Sequence, residues 1–331
     1  MTGPDQDIWS QWLLHRRFGG DAQRMQVTLG HLYRVRDKVL CHAGLGERDV
    51  LLDVGCGDGF IGFGALEKAG AARVIFSDIS GDLLNRARSI AQETGVGDRC
   101  QFFQASADDL SALPDACVDV VTTRSVLVYV AAKARAFKEF HRVLKAGGRV
   151  SLFEPINRFA HPEPAHLFWG YDVTPAMALA QKVKAVYLRR QPPDTDPMLD
   201  FDERDLLRLA EQAGFGEIHL ELEAEIKSGA QGVRWETYWP TAPNPKAPTI
   251  QEAVGEALTS DEAERFVAHL RPLVEAGTRL IRSAVAYLWA VKQGPPDRRG
   301  VRGSTVAFDG LHGRGTWGRE ARERPGGALT G

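Results

Sequence analysis

Apolar residues along this chain follow two alternating rhythms. Short apolar runs near 50–54, 73–77, 100–104, 118–123 and 148–154 have the length of buried strands. The stretches between them, near 60–69, 81–94 and 131–145, space their apolar residues as helices do. The helix near 131–145 is expected to stop on Gly147-Gly148, because glycine takes the left-handed turn of a helix C-terminus freely. A helix near 202–213, a strand near 217–226 and the run Ala284–Val291 extend the series. Strands and helices in alternation predict an α/β fold with a doubly wound, Rossmann-like sheet of seven strands.

Four segments stand outside that alternation. Residues 8–45 carry apolar positions at helical spacing, broken at Phe18-Gly19-Gly20-Asp21, which predicts two helices with Asp21 capping the second. The segment 1–45 is read as a helical lid on a core of 46–293. That core holds two insertions, 158–200 and 229–280, the second with a proline-spaced run from Pro240 to Pro248. Trp9, Trp12, Phe168, Trp169, Tyr171, Trp235, Tyr238 and Trp239 all lie in these additions. They either line an apolar pocket or give the extra helices a core of their own. Residues 294–331, rich in Gly and Arg, have little periodicity and are expected to be disordered.

Composition narrows the class. The 331 residues are 44% hydrophobic and 25% charged, as in ordinary soluble globular proteins. A formal net charge of −2 gives no reason to expect a nucleic-acid partner. Cys41, Cys56, Cys100 and Cys117 are scattered and form no C-x-x-C, so reduced thiols are expected and no metal site. No apolar signal segment opens the chain, and no run approaches the ~20 residues of a membrane span, so a cytoplasmic protein without a membrane partner is expected.

The chemistry is concentrated at the first strand. Leu51-Leu52-Asp53-Val54-Gly55-Cys56-Gly57-Asp58-Gly59 is an apolar strand that ends in an acid and passes straight into a turn with three alternating glycines. Such a turn bends sharply and approaches a ligand closely, and the acid can accept hydrogen bonds from an ammonium group. A second acid, Asp78, follows the next strand at about the position of a ribose diol. Gly57-Asp58-Gly59-Phe60-Ile61-Gly62 also fits the dinucleotide fingerprint. In a dehydrogenase, however, no acid and extra glycine precede the first glycine of the turn. The pattern over 46–155, with Arg142-Val143-Leu144-Lys145-Ala146-Gly147-Gly148-Arg149 as a second hallmark, resembles the class I S-adenosylmethionine (SAM)-dependent methyltransferases.

That resemblance implies SAM as cofactor and a last strand antiparallel to the rest. By position it implies that Asp53, Gly55, Gly57 and Gly59 hold the methionine moiety. Asp78 would take the ribose hydroxyls unless it caps the next helix, which Ser80 would do equally well, and Ile79 would pack on the adenine. Ser106 stands where relatives carry an acid for the adenine amino group. Ser106 itself, the Ala107 backbone or Asp108 is left to serve that edge. Ligands of open α/β sheets bind beyond the carboxyl ends of the strands. Arg124 would therefore meet the SAM carboxylate or an anionic acceptor, or else pair with Asp53. Tyr129 is either a site residue or a packing residue. Glu154, at the end of the fifth strand, is a general base or a structural hydrogen-bond acceptor. His161 and His166 are further candidate bases. The expected function is methyl transfer to a small-molecule acceptor, with a peptide acceptor or a non-catalytic SAM-binding role as alternatives. Trp12, His15, His166, Trp169, Trp235 and Trp239 are expected around the methyl group, above Arg124 and Glu154.

Overall fold

The computed structural model describes residues 6–68, 73–229 and 232–294. The expectation for the chain beyond Gly294 falls outside these residues. Strands β1 (Val50–Val54), β2 (Arg73–Asp78), β3 (Cys100–Gln104), β4 (Val118–Arg124) and β5 (Leu144–Pro155) come first. A short hairpin, β6 (Leu167–Phe168) and β7 (Tyr171–Asp172), precedes β8 (Phe215–Ser228) and β9 (Leu280–Lys292). Seven of the nine form one sheet in the order β3-β2-β1-β4-β5-β9-β8. β9 runs antiparallel to both neighbours, and the other pairs are parallel. The expected doubly wound α/β sheet, with its antiparallel last strand in sequence, is the observed one.

Helices α3 (Phe60–Lys68), α4 (Gly81–Glu93), α5 (Lys133–Val143) and α7 (Glu203–Ala213) cover the sheet, and the front helix α2 (Ala22–Ala43) also packs on it. Their apolar faces meet strands whose own side chains are buried, such as Leu51, Leu52, Val120, Val121, Val150 and Leu152. One boundary differs from the sequence reading. α5 ends at Val143, and Leu144 is already extended (φ −70°, ψ 137°) and paired with Val118. Gly147 (φ +77°) and Gly148 instead sit where the β4–β5 register shifts. A Cβ on Gly148 would lie 3.0 Å from the Asp119 carbonyl, so a strand irregularity, not a helix end, requires that glycine.

The two insertions fold against each other. α6 (Met177–Arg190), α8 (Trp235–Tyr238), α9 (Ile250–Ala257) and α10 (Ser260–Ala276) share a core with the β6–β7 hairpin. Phe168, Tyr171, Val183, Trp235, Tyr238 and Phe266 are at its centre. In front of it, α1 (Ile8–Gln11) runs on through a π-helical turn over Trp12–Arg16. Asp7 caps α1 with its side chain and binds α4: Ser80 Oγ donates to Asp7 at 2.6 Å, and Asp7 N donates to Asp82 at 2.8 Å. At its other end the segment binds the second insertion through Trp12 Nε1 to the Ala242 carbonyl, 3.0 Å, and Ala242 N to the Arg16 carbonyl, 3.1 Å. The front segment thus bridges the sheet's ligand edge and the inserted helices. Among the described residues, no helix is long and apolar enough to cross a membrane.

Candidate active site

A chamber of 460 Å³ opens beyond the carboxyl ends of β1, β2 and β4, roofed by the front segment. Its floor is the glycine turn. Gly55 and Gly57 have φ of +63° and +60°, which only glycine adopts without strain. A Cβ on Gly55 would lie 2.3 Å from Val126 Cγ2. Gly59 (φ +92°) does not line the chamber. Its missing Cβ makes room for Phe63, so its role is to seat α3 rather than to meet a ligand.

Asp78 and Ile79 form one side. Asp78 Oδ2 accepts from Gly57 N at 2.8 Å and Oδ1 from Ser80 N at 2.9 Å. Ser80, not Asp78, caps α4, with Leu83 N donating to its hydroxyl. The capping alternative for Asp78 therefore falls, and its remaining lone pairs are available to the chamber. Ile79 is 44% exposed, a flat apolar surface beside that carboxylate. Ser106, Ala107 and Asp108 close the same end. The Ser106 hydroxyl donates to Asp108 in a short hydrogen bond, which leaves the Asp108 carboxylate as the acceptor at that edge.

Arg124 lines the opposite half. Its guanidinium lies over the Phe60 ring, 5.9 Å from the centroid, and makes no hydrogen bond or ion pair within the described residues. The expected alternative, a salt bridge with Asp53, is absent among them. Burial holds the Arg124 pKa below its usual value, while Asp53 and Asp58 nearby act in the opposite direction. The neighbouring Ser125 has φ +56°, a left-handed conformation costly for serine and found here in the chamber wall. Tyr129 is also a wall residue and stands edge to face with Trp9 at 5.0 Å. Burial pushes its hydroxyl up to about 12.

Several expected site residues lie elsewhere. Asp53 is 1% exposed and beneath the turn. It accepts from Gly62 N at 2.9 Å and Thr122 Oγ1 at 3.3 Å, so it anchors the turn to α3 and β4 instead of meeting a ligand. Glu154 is 0% exposed and outside the chamber wall. Its carboxylate accepts from the backbone N–H groups of Val126, Leu127 and Val128 at 2.9, 2.9 and 3.1 Å. The structural reading of Glu154 replaces the base, because its carboxylate is fully buried outside the chamber and holds three N–H groups of the β4–α5 turn. His15 and His166 are exposed and do not line the chamber. Trp235 and Trp239 stack on each other at 4.8 Å in and against the inserted core, and Trp169 faces other cavities. Of the expected ring of aromatic and histidine residues, Trp12 remains, joined by Trp9. Leu13, Arg17, Asn157, Met198 and Pro243 join them in the wall. No local sequence signal marked them, since each comes from a segment whose facing only the packing sets.

Burial pushes the Asp53 and Glu154 carboxyls up to about 7, against the lowering effect of their N–H donors. In the unfolded chain both ionise near pH ~4. Between those values the folded protein holds protons that the unfolded chain has released. Their contribution is therefore fullest at low pH and is lost as pH rises through about 7. Melting temperature should fall between about pH 4 and 7 and level off above that, less steeply in Glu154→Gln. A rise across that window would mean the N–H donors outweigh burial.

Among the described residues, no group of three His, Cys, Asp or Glu could hold a metal ion. Residues 52–152 match the family described as a methyltransferase domain. The chain is 28% identical over 201 residues to the probable methyltransferase ltbC of Aspergillus luteorubrus, covering 57% of this chain and 66% of that one. It is 31% identical over 127 residues to the tRNA 5-carboxymethoxyuridine methyltransferase of Escherichia coli strain K12, covering 38% and 48%. It thus spans about half to two thirds of the length of these curated relatives. Among solved structures, the YcgJ protein of Bacillus subtilis shares the fold, with a TM-score of 0.50 at 16% identity over 80% of this chain and 100% of that one. The matched segment runs from β1 into β5, the stretch whose turn and strand ends build the chamber, and over it this chain carries a methyltransferase domain.

Proposed function

We propose that this protein transfers a methyl group from SAM to a small-molecule acceptor enclosed beneath the front segment. The observation that carries the reading is the chamber's division into two unlike halves. One half has the polar lining of a nucleoside site: the left-handed glycine turn at Gly55 and Gly57, the Asp78 carboxylate beside the exposed Ile79 side chain, and the Asp108 acceptor. Arg124, without a partner among the described residues, suits the carboxylate of the methionine moiety. The other half is walled by Trp9, Trp12, Tyr129, Met198 and Pro243, an apolar and aromatic enclosure of small-molecule size.

When bound, SAM supplies an electrophilic methyl group, so the protein's task is to orient an acceptor and exclude water. Holding reactants in line contributes about 7–11 kcal/mol at best. The contacts of Asp7 with Ser80 and of Trp12 with Ala242 hold the roof in place for that purpose. Tyr129, with its hydroxyl pushed up to about 12, stays protonated at neutral pH and serves as a donor or shield, not as a base. No histidine lines this chamber among the described residues; of its three carboxylates, Asp78 and Asp108 belong to the nucleoside half, which leaves Asp58 as the acid that could take a proton from an acceptor.

Incubation with methyl-labelled SAM and fractionated cell extract tests the reading. Label in low-mass products is expected, whereas label in polypeptide or in tRNA would replace the small-molecule acceptor with that partner. Calorimetry should show SAM binding and no NAD binding. Asp78→Ala should weaken SAM by about 1–3 kcal/mol, the loss expected for hydrogen bonds to a charged group. An unchanged dissociation constant would reduce Asp78 to a staple for the glycine turn.

A further inference from the structure

A second chamber of 440 Å³ lies between the β6–β7 hairpin, α6, the loop before α9 and the start of β9. It abuts the first at Asn157, Met198 and Pro243, which line both. Three polar atoms in its walls, Trp169 Nε1, Tyr187 Oη and Arg279 Nε, are buried without a hydrogen-bond partner. Trp169 and Tyr187 stand edge to face at 5.4 Å. Even a bent contact from the indole N–H to the phenol oxygen would leave the phenol proton unspent. An orphaned buried polar group is destabilising, and native structures hold few of them. Three in the walls of one cavity, each able to donate and one of them cationic, call for an acceptor-rich partner.

The backbone gathers these groups at a cost. Trp169 (φ +51°) and Gly170 (φ +85°) are the two-residue turn of the hairpin, a conformation in which Asn-Gly is the favoured pair. A tryptophan there is strained. Gly170 lets the turn press on β9: its carbonyl accepts from Leu280 N at 2.9 Å, and a Cβ would strike Arg279 Cγ at 2.9 Å. The same turn therefore carries Trp169 and fixes Arg279 beside it. The acids of this wall are already engaged. Glu163 binds Lys184 at 2.8 Å and Gly170 N at 2.7 Å, and Asp196 accepts from Met198 N at 3.0 Å. Arg279 makes no side-chain hydrogen bond or ion pair among the described residues, and the exposed Arg282 adds a second cation.

Building on the methyl-transfer reading, we infer that this second chamber seats the acidic end of the acceptor. The class is an organic acid whose carboxylate pairs with Arg279, with Trp169 and Tyr187 as further donors. Its apolar body passes Met198 and Pro243 toward the first chamber. The flexible thioether of Met198 suits a wall that a ligand must pass.

The test uses the full chain saturated with S-adenosylhomocysteine, titrated by calorimetry with biphenyl-4-carboxylate and with its neutral carboxamide. The carboxylate should bind about tenfold or more tightly than the amide, as a charge-assisted contact requires. Arg279→Gln should erase that preference, Arg279→Lys should keep part of it, and both should bind SAM as the unaltered protein does. Equal binding of the two probes, binding of neither, or a preference that survives Arg279→Gln would overturn the assignment. The comparison of probes on the unaltered chain needs no variant to fold. A chain that prefers the carboxylate but ignores SAM would sink the methyl-transfer reading and leave the anion site standing. SAM binding without the preference would do the reverse.

Discussion

Replacing Glu154 with leucine is expected to cost at least about 3 kcal/mol of stability, because three backbone N–H groups lose their acceptor at once. Val126, Leu127 and Val128 form the turn that carries Ser125 and Tyr129 into the chamber wall, and Glu154 ties that turn to the end of β5. The loss should appear as a lower urea midpoint at unchanged slope. Glu154→Gln keeps one acceptor oxygen, so its loss should be smaller and turnover per folded molecule should stay near that of the unaltered protein. A general base would behave otherwise, with the Gln variant losing about 10²–10⁴-fold in turnover. Such a loss in a stable, SAM-binding variant would restore Glu154 as the base.

Gly55→Val should abolish SAM binding rather than weaken it. The residue sits at φ +63°, where an L side chain costs roughly 1–2 kcal/mol. Its Cβ would also lie 2.3 Å from Val126 Cγ2 and 3.1 Å from Cγ1. Either the turn or the start of the β4–α5 connection must move, and both are walls of the chamber. Calorimetry should show affinity reduced by roughly a hundredfold or more, two powers of ten at about 1.4 kcal/mol each. Gly20→Ala is the control for strain without collision, since Gly20 is also left-handed (φ +80°) but has nothing within 4 Å of its would-be Cβ. A Gly55→Val protein that binds SAM within tenfold would show that this turn is not the cradle.

The sequence by itself determined the features whose causes are local. A run such as Val50–Val54 has no stable place except inside a sheet, so the strands lie where the apolar pattern puts them. The glycine turn was legible because left-handed backbone is demanded at particular positions and glycine meets that demand. Asp78 and Ile79 follow from the same logic, one strand further on. Only the tertiary structure decided which side chains the chamber uses. Helical spacing shows that Trp12 and Trp235 each lie on an apolar face but not which surface the face meets. One became a wall of the site and the other the core of the inserted helices. A carboxylate at a strand end is equally ambiguous. Asp78 lines the chamber, whereas Glu154 and Asp53 lie buried behind its wall, bonded to N–H and hydroxyl groups that only folding brings within reach. Arg279 and Trp169, 110 positions apart, meet because Gly170 lets a hairpin tip lie on β9, and no periodicity along the chain records a contact of that kind.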